Sequence, residues 1–141
     1  MKTDLKIYTG FVSPVTVPEL IKNNYLPIFI IRSIKNSQVI GKYEGTTIHF
    51  KELAPSYELF HELRDGKIGR EEFEKRYIIE ISKINLFETV KKLDYLAKLS
   101  NAKGVVLMGY GSDRNKCHRS ILGSMLFNTG ALENPVKELV L

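Results

Sequence analysis

Two apolar runs dominate the hydropathy pattern: Pro27, Ile28, Phe29, Ile30 and Ile31, and then Val105, Val106, Leu107 and Met108. Runs of four or five without polar alternation fit strands covered on both faces, as in parallel sheets. A weaker alternation over residues 5–10, ending at Gly10, predicts a first strand with a turn behind it. Residues 46–50 read as a short extended piece, and residues 135–141 alternate weakly enough for a last, edge strand.

Helical spacing fills the intervals. Ser13-Pro14 or Thr16 can open a short helix over residues 18–21, with Pro18 tolerated in its first turn and Asn23-Asn24 as its stop. Residues 55–100 predict three helices. The first starts at Pro55-Ser56 and ends at Asp65-Gly66; the second carries Phe73, Tyr77, Ile78 and Ile81; the third carries Phe87, Val90, Leu93, Leu96 and Ala97. Ile121, Leu122, Met125 and Leu126 predict a helix after the 105–108 strand, closed by Asn128, Thr129 and Gly130. Interleaved strands and helices imply one α/β domain over residues 1–141: a small three-layer sandwich with a mostly parallel, Rossmann-like central sheet of about four strands. The polar connection over residues 34–45, with Gly41 and Gly45, has a length common in lids and flaps.

Composition narrows the function classes. Hydrophobic residues at 43% and charged residues at 26% are globular values and argue against disorder. Cys117 is the one cysteine, so no intramolecular disulfide forms and cysteine-rich zinc sites are excluded. The polar start MKTDLKIYTG reads as no signal peptide, and no apolar run is long enough to span a bilayer, so a cytoplasmic protein without membrane contact is the expectation. Net charge is +5, which suits a phosphorylated small molecule, nucleic acid or mere solubility. The lysines are scattered and no arginine-rich arm stands out, so nucleic acid is the second partner class and a small anion the first.

Candidate chemistry gathers at VVLMGYGSDRNKCHRS, residues 105–120. A strand, a glycine-broken turn and a helix in that order put the turn at the carboxyl end of a strand, where open α/β sheets bind ligands. Helix starts offer N–H groups to anions. If the 28–31 and 105–108 strands are parallel neighbours, Arg32 leaves on the same edge as Tyr110, Cys117, His118 and Arg119, and Thr9 joins them from the first strand. Arginine forks match phosphate or carboxylate oxygens, so Arg32 and Arg119 are the candidate anion grips. Tyr110 and Tyr8 offer stacking faces, and Tyr77 is a further candidate through its hydroxyl. Should the protein be an enzyme, Cys117 is the best nucleophile and His118 the best proton carrier. Equally, Cys117 shares a helical face with Ile121 and Met125 and reads as a packed thiol, while His118 reads as a capping group.

Spacing removes several motifs. The cysteine-phosphatase loop wants arginine six positions after its thiol, where this chain has Gly123. A dinucleotide fingerprint wants a third glycine where Arg114 stands, and Gly66-Lys67 follows no phosphate-loop pattern. His49 and His61 have no ligand-spaced partner, so neither metal nor cofactor is expected.

The residues as a set resemble the family catalogued as Domain of Unknown Function 488, small bacterial and phage proteins. The resemblance rests on IYTG, on FIIRS with Arg32, on LAPS at positions 53–56, on Phe73 and Tyr77, on the closing signature ending in Cys117-His118-Arg119, and on Val136 and Glu138 in the final strand. The family pattern is similar to CYE followed by CHR, and this chain has Gly109 and Gly111 in place of the cysteine and glutamate. If that carboxylate serves as an acid or base in relatives, this protein lacks it. The resemblance implies the fold and the location of the site, and no settled activity. The expectation is therefore a protein that binds an anionic or phosphorylated, nucleotide-like ligand, with Cys-based chemistry open; a nucleic-acid accessory protein or a protein-interaction module are the alternatives.

Overall fold

A computed structural model describes residues 2–13, 15–31, 48–109 and 118–140 of the 141-residue chain. Among them lie five strands and five α-helices. In chain order these are β1 (Ile7–Phe11), α1 (Thr16–Lys22), β2 (Leu26–Phe29), β3 (Ile48–His49), α2 (Tyr57–Arg64), α3 (Arg70–Ser82), α4 (Leu86–Leu99), β4 (Val105–Gly109), α5 (His118–Phe127) and β5 (Lys137–Glu138), with a single 3-10 turn at Lys51–Leu53.

The strands form one sheet in the order β3-β2-β4-β1-β5, and every pairing is parallel. The α/β class and the parallel neighbourhood of the two apolar runs agree with the hydropathy pattern. The strand count differs slightly: among the described residues there are five strands where about four are expected, and every pairing among them is parallel. The difference lies at the edges. β3 and β5 have two residues each, too few for a period-2 signal to stand out from loop.

Both faces of the sheet are covered, which is why β2 and β4 read as continuous apolar runs. Leu26 and Ile28 of β2, Ile30 just beyond it, and Val105 and Leu107 of β4 point to one side, where α2, α3, α4 and α5 supply Leu59, Phe73, Tyr77, Val90, Leu93 and Leu122. Phe29, Ile31, Val106 and Met108 point to the other side, against Val17 and Leu20 of α1. On the larger face α5 approaches very closely: a Cβ on Gly123 would sit 2.8 Å from Val136 Cγ1.

Helix ends follow local chemistry. Ser56 caps α2 by accepting from the Leu59 N–H at 3.2 Å, and Asn85 caps α4 through the Glu88 N–H at 3.2 Å. Gly66 after α2 and Gly130 after α5 take left-handed backbone angles, with φ of 75° and 80°. No helix among the described residues is long and apolar enough to cross a membrane.

Candidate functional site

The topology fixes where a crevice opens. From β2 the chain runs outward to β3, whereas from β4 it crosses β1 to reach β5. Adjacent parallel strands whose onward connections diverge leave a gap at their carboxyl ends, the usual ligand position in open α/β sheets. Here the gap lies between β2 and β4. Arg32, Tyr110 and Cys117, all expected there, lie outside the described residues.

His118, the first residue of α5, marks the edge of this gap. Its Nε2 lies 2.5 Å from the Ile30 carbonyl oxygen, one residue past the end of β2. A carbonyl only accepts, so Nε2 carries a proton and donates it to this bond. The Ile30 N–H itself donates to Met108 O at 3.1 Å. Residue 30 thus continues the β2–β4 ladder, and its carbonyl accepts from the imidazole.

A second imidazole mirrors the first. His49, at the end of β3, places Nε2 2.5 Å from the Ile31 carbonyl oxygen. Successive carbonyls of an extended chain point to opposite sides, so the two rings flank the end of β2 from its two neighbours. The sequence sets His49 aside only as a histidine with no ligand-spaced partner. Its signal, a histidine closing the extended piece after the long 34–45 connection, is visible only once β3 is paired with β2.

Tyr77 reaches the site with its ring and not its hydroxyl. The hydroxyl donates to the Leu53 carbonyl at 2.6 Å inside the core. The ring meets His118 edge-on at 5.3 Å between centroids, and Phe73 stacks parallel to Tyr77 at 6.2 Å. The LAPS segment therefore holds the aromatic pair from below: Leu53 accepts from Tyr77, and Ser56 donates through its backbone N–H at 2.9 Å and its hydroxyl to Glu80 of the same helix.

Arg119 points elsewhere. Its side chain is fully buried, and its fork meets Glu138 of β5, Nε to Oε1 at 3.2 Å and Nη2 to Oε2 at 3.0 Å. Thr9, also fully buried, donates its hydroxyl to Glu138 Oε1 at 2.5 Å. Thr9 and Glu138 are direct neighbours in the β1–β5 register. Two expected ligand residues, Arg119 and Thr9, are thus brought together around a carboxylate that sequence reasoning placed only in a strand. Tyr8 lies apart from both groups, on the α1 face, with its ring T-shaped against Tyr25 at 5.7 Å. Tyr25 precedes β2, so this pair lies toward the amino-terminal edge of the sheet.

A family model described as the active DUF488-N3 subclade matches residues 28–130. The chain belongs to the DUF488 family. No curated protein and no solved structure matches it. Within this DUF488 chain the match takes in Ile30, His49, Tyr77 and His118, hence the whole gap between β2 and β4. It leaves out β1 and β5, so the Arg119 ion pair joins the matched region to a strand beyond it.

Proposed function

We propose that this DUF488 protein binds an anionic or phosphorylated, nucleotide-like small ligand at the carboxyl edge of its sheet, in the gap between β2 and β4. The observation that carries the reading is the divergence of the two connections at that gap, with α5 starting beside it. A helix start directs its positive dipole end toward the gap. Arg32, the next residue after Ile31, is the side chain assigned to grip the charge, and Tyr110, after Gly109, is assigned to stack. Arg119 serves the site at one remove, since its fork onto Glu138 ties the first turn of α5 to the far side of the sheet.

A thermal-shift screen of nucleotides, sugar phosphates and simple anions tests this. A ligand that binds only the folded state raises the melting temperature. Wild type is expected to respond to at least one phosphorylated compound, and Arg32→Ala to lose that response. Absence of any shift across the screen at millimolar ligand refutes the reading.

A second reading, Cys-based chemistry at the same place, is supported by the position of His118, which directly follows Cys117 and is held at the end of β2. Donation from Nε2 to Ile30 O fixes the orientation of the ring at the first residue of α5. The family model's own description, an active subclade, is consistent with it. In this reading Cys117 is the nucleophile and His118 accepts its proton. Cys117 alkylation should then show a midpoint below the free-thiol value of about 8.5, moved upward in His118→Asn. A midpoint at or above that value in wild type removes the nucleophile.

A further inference from the structure

The opposite, amino-terminal edge of the sheet carries a second feature. Three hollows of 460, 550 and 220 Å³ adjoin there. The first two share Asp4, Asp94 and Lys98, and the first and third share Lys6 and Tyr8, so the three lie side by side as a segmented groove. The groove runs past the starts of β1, β2, β4 and β5.

Lysines that are scattered along the chain converge on it: Lys2, Lys6, Lys91, Lys98, Lys103 and Lys137. Against these six stand three carboxylates, Asp4, Asp94 and Glu133. Asp94 already bonds Lys98 at 2.9 Å. Lys91 lies 3.6 Å from Glu88 Oε1, so four lysines and two carboxylates then remain, a balance of +2 in a chain whose total is +5. The helical segment 57–82 is of opposite sign, with seven acidic against five basic side chains. This edge is thus net positive where that helical segment is net negative.

Aromatic rings are interleaved with the lysines. Half-buried Tyr8 and Tyr25 line the first hollow edge to face, with Lys103 Nζ 5.9 Å from the Tyr25 ring centre, and Phe87 lines the second. A basic track with rings set into its floor is how proteins hold single-stranded nucleic acid: lysines follow the phosphates and unpaired bases stack on the rings. A duplex keeps its bases paired and has no use for the hollows, and an acidic peptide has no use for the rings.

We infer that the groove at the amino-terminal edge binds single-stranded nucleic acid, independently of any ligand at the carboxyl edge. The test is fluorescence anisotropy of a labelled mixed-sequence 12-nucleotide strand against the full chain. Wild type should bind at 50 mM salt and lose roughly 15-fold in affinity by 200 mM, the slope expected when about three phosphates are neutralised. The pair Lys6→Glu and Lys103→Glu, both exposed side chains, should weaken binding at least about tenfold. An equal charge change outside the groove, Lys67→Glu with Lys75→Glu, should cost no more than about threefold, as expected of long-range attraction alone. Tyr25→Leu should weaken binding by about fivefold or more, and Tyr25→Phe should not. Should Tyr25→Leu fail to fold, the two charge-reversal pairs decide the matter alone. The inference is overturned by no binding at 50 mM salt, by equal losses in the two charge-reversal pairs, or by duplex DNA or polyglutamate binding as tightly as the strand. The thermal-shift screen reads the other edge of the sheet, so either result stands without the other.

Discussion

Removing the Glu138 carboxylate probes the joint between α5 and β5 most directly. Arg119 is fully buried, so in Glu138→Ala its guanidinium loses this carboxylate inside the fold. Breaking a buried pair from one side costs about 3–5 kcal/mol, because a charge is left uncompensated in low dielectric. The Glu138 side chain keeps 25% of its exposure, which admits some water and lowers the expectation to about 2–4 kcal/mol. Loss of the Thr9 hydrogen bond, about 1 kcal/mol, is contained in that figure. For a chain of this length it corresponds to a fall in melting temperature on the order of 10 °C. Urea denaturation of wild type, Glu138→Ala, Arg119→Met and the double variant Arg119→Met with Glu138→Leu measures it. The double variant should recover most of the loss, since an apolar pair of similar volume replaces a buried ion pair at little cost. A Glu138→Ala change within about 0.5 kcal/mol of wild type, or a double variant no better than the worse single one, would refute the assignment of Arg119 to an anchoring role.

Two further outcomes are expected. Tyr77→Phe removes the hydroxyl that donates to Leu53 O in the core, and should cost about 1–3 kcal/mol in urea melts, the penalty of a buried carbonyl deprived of its partner; an unchanged midpoint would mean that the LAPS segment is held without Tyr77. The Arg76 hydrogen bond holds the Glu62 carboxyl below its ordinary value of 4.5, so this contribution is present above that value and is lost as pH falls through the lowered one. The acid limb of the stability curve should therefore be shallower in Glu62→Gln than in wild type, and superimposable limbs would count against the pair as a link between α2 and α3.

The pattern of apolar runs was enough to read the interior of this fold because the two central strands are covered on both sides. Val105 to Met108 have no exposed surface, and the sequence carries that burial as an unbroken run. The three helices between residues 57 and 99 were legible for the same reason, each carrying one apolar face at helical spacing. The site was legible only in part. The place of His118 at a helix start after a strand and a turn is legible, but its bond to Ile30 O spans 88 positions and leaves no local trace. Arg119 was read as a grip on an outside anion because its counter-ion lies 19 positions away on a two-residue strand. A buried arginine needs a carboxylate, and a sequence gives the need without naming the partner. His49 was passed over on the same ground. Its role follows from a two-residue strand that only the pairing of β3 with β2 makes visible.

The position of β4 has a consequence for assembly. β1 and β2 are never neighbours; each pairs with β4, which is made some 75 residues after β2. A nascent chain that has emerged only as far as α4 holds two of the inner strands and three of the α4-side helices, yet lacks the wedge between them. Ribosome-bound chains of this length would keep open ladders on both sides of the missing strand, so the sheet closes late and in one step, when residues 105–109 arrive.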